Sequence, residues 1–425
     1  MKFLHIADVH IGCWRNRAMK QLSVKAFEKV CAVAVEEHVD FVVIAGDLFH
    51  TALPGIDLVK SVFKQLRMLK DESIPVYYIA GSHDYSPTGK TMLDVIEEAK
   101  LGSNVAKGKV KKNGAVSLTF TEDEETGVLL TGIIGKAGML DQKDYQGLET
   151  EPLEDKDGQK IFLFHTAIDE LKPDRLSQMD SSGISFLPKD FEYYAGGHVH
   201  IVRDMNMKGY QNVVYPGPLF PTTFRELEVL KHGTYALYED GTVHHKHLRI
   251  KETASHTIDI GEGSPDEANK YIKQALEGID VEDKIVLLRV KGYLKGGSLG
   301  DVGFRDIHED LMSRGAFHVM RNTSSVSTES FDADIVEERE QSKIEEELIH
   351  EYSGQIENRF SSEKQVTKNL FRDWDDEKRE GETNTEFEER VISIGESLMA
   401  SAERREDKSS SSKRKPDLTS FMQKD

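Results

Sequence analysis

The chain opens with short, largely apolar segments set between longer amphipathic ones. Phe3–Ala7 and Phe41–Ala45 are strand-like runs, and the stretch from Lys20 to His38 between them places Leu22, Ala26, Phe27, Val30 and Ala34 on one stripe at helical spacing. Val76–Ala80, Val128–Ile134 and Ile161–Phe164 continue the strand series. Strands with little polar alternation, joined through helices, predict a layered α/β domain with buried strands. Ligands in such folds collect where strands give way to loops.

From His256 the pattern condenses into a smaller α+β unit. It reads as a strand over His256–Ile260, a helix from Pro265 to Leu276, a strand over Lys284–Val290, a glycine-rich turn at Gly292–Gly300, a helix over Val302–Met312 and a strand over Phe317–Asn322. Beyond Asp332 strands disappear. Ile344, Leu348, Ile349, Tyr352, Ile356 and Phe360 recur at helical spacing among glutamates, and a second stripe of Phe387, Val391, Ile394 and Leu398 follows the charged loop Asp373–Asn384. Such a face has no core of its own, so docking onto a partner is preferred over a solvated extension. Ser409–Ser412 is a low-complexity linker, and the tail after it is expected to be disordered. The resulting boundaries are 1–250, 251–330, 331–405 and 406–425.

Length and charge narrow the possibilities. The 425 residues allow two to four domains. Lys plus Arg number 55 against 75 Asp plus Glu, a net charge of −20, which argues against an electrostatic grip on DNA spread over the whole surface. The charge is uneven: residues 331–408 carry −12, the last 17 residues +2, and residues 1–330 the remaining −10. The two cysteines, Cys13 and Cys31, offer neither a disulfide framework nor a zinc knuckle, so plain thiols in a reducing compartment are expected. Polar residues interrupt the first ten positions before a signal-peptide core could form, and no apolar run approaches the ~18 residues of a membrane span. A cytoplasmic protein without membrane contact is expected.

Candidate chemistry lies at the strand ends. Asp8-Val9-His10 follows the first strand, Gly46-Asp47-Leu48-Phe49-His50 the second and Gly81-Ser82-His83-Asp84 the third; His165 closes Ile161–Phe164, and Gly197-His198-Val199-His200 follows another apolar segment. Each places Asp or His where a strand becomes a loop, with glycine nearby for tight backbone geometry. Hydrolysing a phosphodiester requires a water made nucleophilic at neutral pH and compensation for charge on the phosphoryl oxygens, and two divalent ions ~3.5–4 Å apart supply both. Mixed imidazole and carboxylate ligands suit manganese, iron or zinc better than magnesium. Asp-x-His and His-x-His put two ligands on one side of an extended segment. Alone, any of these histidines reads as a structural residue; five motifs in order reverse that. His5, His38, Asp40 and the cluster His244, His245 and His247 lack such context and read as surface or packing residues.

These motifs resemble the signature of the calcineurin-like metallophosphoesterases. Leu4-His5-Ile6-Ala7-Asp8-Val9-His10-Ile11-Gly12, Ala45-Gly46-Asp47-Leu48-Phe49 and Tyr215-Pro216-Gly217 are similar, more narrowly, to the archaeal nuclease subunits of double-strand-break repair complexes, relatives of bacterial SbcD. The likeness covers about residues 1–330. It implies a four-layer α/β architecture, a β-sandwich flanked by helices, with a small α+β capping domain at 251–330 and a C-terminal helical extension. It further implies that Asp8, His10 and His200 hold one manganese ion and His165 and His198 another, with Asp47 bridging. His83, oriented by Asp84, would serve the phosphate as proton donor or stabiliser of the leaving oxygen, and His50 would contact substrate. The implied activity is manganese-dependent exonuclease and endonuclease cleavage at double-stranded DNA ends and on single strands, in a homodimer bound to a coiled-coil ABC-type ATPase. Lys415-Pro416-Asp417-Leu418-Thr419-Ser420-Phe421-Met422 faintly resembles a sliding-clamp-binding tail without its glutamine.

One departure stands out. Ser82 occupies the place where the superfamily usually has an asparagine supplying a carboxamide oxygen to the second metal; a hydroxyl is a shorter, weaker ligand that binds directly or through a water. Two other readings compete: a phosphodiesterase or phosphatase acting on small nucleotides or phosphoproteins, which leaves 256–400 without a use, and a non-catalytic scaffold, which predicts broken ligands where only Ser82 departs.

Overall fold

The structure, a computed structural model, describes residues 1–85, 91–136, 142–173 and 181–328. The helical stripes of 335–400, the linker and the tail lie outside the described residues.

Two six-stranded sheets face one another. The first runs, by neighbour, Thr242–Leu248, Gly233–Glu239, Lys2–Ile6, Phe41–Ala45, Val76–Ile79, Ser103–Asn104, and the second Val202–Met207, Tyr210–Pro216, Tyr193–Gly197, Lys160–His165, Leu129–Gly132, Thr121–Glu122. Lys2–Ile6, Phe41–Ala45 and Val76–Ile79 are mutually parallel, as are Leu129–Gly132, Lys160–His165 and Tyr193–Gly197. Period-two geometry divides their side chains between two cores. Phe41, Val43 and Ala45 pack between the sheets with Ile161, Leu163 and Ala195, whereas Val42 and Ile44 pack outward against helical residues such as Phe27, Leu66 and Leu69. On the far side, Phe162 and Phe164 meet Leu153, Leu171, Ile184 and Leu187 in a third core. The result is a mixed α/β fold of stacked layers.

The expected helix after the first strand spans Arg17–Glu36, and all five residues of its apolar stripe are buried. Asn16 starts it: its side-chain oxygen accepts the N–H groups of Ala18 and Met19 at 2.9 and 3.1 Å. Four outer strands, Val202–Met207, Tyr210–Pro216, Gly233–Glu239 and Thr242–Leu248, extend the sheets beyond the strands expected from apolar runs.

Thr253–Gly263, Ile285–Leu294 and His318–Thr328 form a three-stranded parallel sheet connected by helices Pro265–Ala275 and Phe304–Ser313. One face is covered by those helices, through Ile272, Ile307 and Leu311. Ile285 and Leu287 instead join the hydrophobic cluster that holds the helix Arg17–Glu36. The glycine-rich turn expected from Gly292 starts later, because the middle strand continues to Leu294. Gly292 is a strand position at φ +135° whose close approach to Gly261 leaves no room for a Cβ. Both cysteines are free thiols. Among the described residues no helix is long and apolar enough to cross a membrane.

Candidate metal centre

The loops after Lys2–Ile6, Phe41–Ala45, Val76–Ile79, Lys160–His165 and Tyr193–Gly197 meet at one edge of the stacked sheets and bring the expected residues together. Donor atoms of Asp8, His10 and His200 lie within 4.8 Å of one another, and so do those of Asp8, Asp47 and His165. A third group, His10, His50 and His83, satisfies the same distance. Asp47 sits at the centre: its Oδ2 is 3.2 Å from His165 Nε2, 3.5 Å from His10 Nε2 and 3.4 Å from Ser82 Oγ. The His198 ring lies 5.2 Å from that of His165, and its backbone N–H donates to both carboxylate oxygens of Asp8. No metal-type cluster among the described residues includes the His198 ring nitrogens.

The backbone at these positions is unusual. Asp8, His10, Asp47, His198 and His200 all have positive φ, between 46° and 94°. Non-glycine residues enter this region rarely and at a cost of ~1–3 kcal/mol each, so the surrounding fold must enforce it. Glycines make the approach possible: a Cβ on Gly46 would come within 2.3 Å of His165 Nδ1, and one on Gly81 within 2.2 Å of Asp47 Oδ1.

Hydrogen bonds behind the site select the tautomers. His165 Nδ1 donates to the Ala45 carbonyl at 2.8 Å, and His200 Nδ1 donates to Glu226 Oε1 at 3.1 Å. In the neutral form of each ring Nε2 is thereby the inward-facing lone pair, available to a metal once its proton is lost. His165 Nε2 is buried 3.2 Å from Asp47 Oδ2, and His200 Nε2 faces His10 Nε2 at 3.0 Å. Inward-facing imidazole nitrogens converging with carboxylates are a donor set that a divalent transition metal would satisfy, so the residues fit the expected ions.

Asp84 has a different task from the one the resemblance implied. Its carboxylate accepts the backbone N–H groups of Leu48 and Gly81 on one oxygen, at 3.1 and 3.2 Å, and of Phe49 on the other, at 3.0 Å. It therefore ties the second and third loops together, while the His83 ring is held by Nδ1 against the His50 carbonyl at 2.9 Å. Burial, followed by the charge on Asp47, raises the Asp84 carboxyl to about 7. His50 lies 3.4 Å from His10 between ring nitrogens and stacks on His83 at 4.8 Å between centroids.

Burial disfavours charge on every candidate ligand imidazole, but carboxylates reverse it at two of them. His165 is raised to about 10 by Asp47 and Asp8, and His200 to about 9 by Asp8 and Glu226. His10 and His198, where burial dominates, are lowered, His198 to about 4. Metals require the neutral imidazole, so at pH 7 loading the centre is expected to release about two protons. Affinity should accordingly rise with pH from 7 towards 9. Calorimetry in buffers of different ionisation enthalpy measures the count; binding without proton release would contradict these protonation states.

Residues 1–202 match the family model described as calcineurin-like phosphoesterase. The chain carries a calcineurin-like metallophosphoesterase domain. The matched segment of this metallophosphoesterase domain contains every expected ligand from Asp8 to His200. The chain is also similar to the DNA double-strand break repair protein Mre11 of Archaeoglobus fulgidus, 28% identical over 254 residues that cover 57% of this chain and 55% of that one. The protein of the same name from Thermoplasma acidophilum is 29% identical over 209 residues (46% and 51%), and that from Methanosarcina mazei 26% over 325 residues (75% and 49%). The chain spans about half the length of the curated relatives it matches.

Glu226, which accepts from the candidate ligand His200, is not singled out by the sequence. Thr223-x-x-Glu226 has the spacing of a helix cap, and Thr223 Oγ1 accepts the Glu226 N–H at 3.2 Å. The carboxylate, however, turns to His200 and to the N–H and hydroxyl of Thr222.

Ser82 is half-buried with its hydroxyl directed at Asp47. If it is a poor substitute for a carboxamide, one of two metal sites fills only at higher manganese, and Ser82→Asn shifts that phase of the activity curve to lower concentration. Identical titrations for both proteins, or a weaker site in the variant, would show that Ser82 or its water already completes the site.

Proposed function

We propose that the chain is a manganese-dependent DNA exonuclease and endonuclease that processes broken ends. The observation that carries this is the buried cluster of Asp8, His10, Asp47, His165 and His200, with Asp47 reaching both donor groups. Two bound ions would supply a metal-activated water and neutralise charge on the phosphoryl oxygens. Asp8, His10 and His200 would hold one, His165 and His198 the other, with Asp47 between them and Ser82 beside the second. The remaining residues prepare the substrate's surroundings: Asp84 fixes the two loops, and His50 presents its carbonyl to His83 Nδ1, leaving Nε2 free to serve the phosphate. The likeness to Mre11 proteins favours DNA over small nucleotides as substrate. Digestion of linear and circular DNA by the purified chain with manganese tests the reading; cleavage of a small phosphodiester without any cleavage of DNA would favour a phosphodiesterase.

We assign the three-stranded unit at 251–330 to capping of the DNA and the stripes of 335–400 to the base of the coiled coil of an ABC-type ATPase. Leu348 and Ile349 changed to Asp, or Val391 and Ile394 likewise, should abolish co-purification with that ATPase while leaving cleavage of short single-stranded DNA intact. Unchanged complex formation would leave these stripes as a solvated extension. A homodimer is supported by the exposed apolar residues Leu53 and Ile56, 76% and 84% accessible beside the site loop.

A further inference from the structure

The short helix Phe224–Leu230 connects the metal centre to the three-stranded unit. Its Glu226 accepts from His200 Nδ1 at 3.1 Å, while the second carboxylate oxygen is anchored by the Thr222 N–H at 2.8 Å and hydroxyl at 3.1 Å. Its Glu228 forms a two-pronged pair with Arg289, both contacts 2.8 Å, and the Arg289 guanidinium lies 5.2 Å from the centre of the Phe224 ring. Arg289 belongs to Ile285–Leu294, the central strand of the three-stranded sheet. At ~100° per residue, Glu226 lies ~200° around the helix from both Phe224 and Glu228. One face therefore grips a metal ligand and the opposite face grips the neighbouring sheet. Leu227, fully buried, fixes the helix between them.

We propose that Glu226 is a positioning residue for His200, and that the Arg289 clamp on Phe224–Leu230 sets where Glu226 stands, so that the three-stranded unit tunes the affinity of the metal site containing His200. The inference rests on the metal centre described above. A carboxylate behind a ligating imidazole fixes its tautomer and ring orientation and makes it a better donor. A two-pronged guanidinium–carboxylate pair reinforced by stacking is a rigid, directional contact, suited to transmitting a shift of one unit to the other.

The test is calorimetric titration of the full chain with manganese(II) alone, with thermal unfolding of the metal-free proteins as a control for folding. Wild type should bind two ions. Glu226→Ala should weaken one of them by about 10- to 100-fold and leave the other unchanged. Glu226→Gln, which keeps an acceptor for His200 Nδ1–H, should recover most of that loss. Arg289→Met, at a side chain whose partners are Glu228 and Phe224, should weaken the same ion by about 2- to 30-fold. Wild-type affinity at both sites in a folded Glu226→Ala overturns the positioning role, and unchanged binding in Arg289→Met overturns the link to the sheet. Should Glu226→Ala not fold, Glu226→Gln and Arg289→Met decide: both indistinguishable from wild type overturns the proposal. Failure of wild type to bind two ions would count against the metal centre itself, a result separate from any difference among variants.

Discussion

Asp47→Ala is expected to strip metal from the centre and to lower phosphodiester cleavage by at least about 10³-fold. Asp47 is, with Asp8, the carboxylate that reaches both donor groups. One oxygen lies within 3.5 Å of both His165 and His10, and the other accepts the His83 backbone N–H at 2.8 Å. Losing the carboxylate removes the bridging charge and the anchor of the third loop together. It also removes the charge that offsets burial at His165 and His10, leaving a set of imidazoles with less attraction for a cation. Asp47→Asn separates these effects, because its oxygen can still accept the His83 N–H while the bridging charge is gone. Metal content by mass spectrometry, read beside the rate, decides the matter. An alanine variant that retains both ions would show that Asp47 does not bridge.

The parallel strands were legible because they are buried on both faces. With every position in Phe41–Ala45 apolar, the run announces itself, and the Gly46-Asp47 that follows marks the loop that leaves the sheet edge. The outer strands were less visible for the converse reason. Val202–Met207 and Thr242–Leu248 have mostly partly or fully exposed residues, and their polar composition carries no strong strand signal. The positive φ angles at Asp8, His10, Asp47, His198 and His200 have no one-residue signature, since the fold imposes them from outside. The resemblance implies that Asp84 orients His83, yet its partners are backbone amides in two loops. Glu226 was hidden differently: it sits in a pattern with an adequate structural explanation, and only tertiary packing brings it to His200, 26 residues earlier.

His83→Ala is expected to lower cleavage by about 10²- to 10⁴-fold while leaving metal content at the wild-type level. His83 is the exposed member of the cluster, at the rim, where a phosphate entering the centre would meet it first. The bond from its Nδ1 to the His50 carbonyl points Nε2 away from that anchor, the arrangement required of a group that gives a proton to, or stabilises, a leaving oxygen. A rival assignment exists in the same geometry. The nitrogens of His10, His50 and His83 come within 4.8 Å of one another, so three imidazoles could share an ion among themselves. The two assignments differ in what alanine does. If His83 serves the phosphate, its removal slows the chemical step, leaves manganese affinity in place and should be matched by only a modest effect at His50. If it is a ligand, the ion is lost with it, and His50→Ala produces the same loss. His10 tips the balance towards the phosphate role, because its Nε2 already faces Asp47 and His200 and only its Nδ1 is turned to His50. Retained metal with a slow rate in His83→Ala would settle the role in favour of the phosphate, whereas parallel loss of metal in the His50 and His83 variants would reverse it.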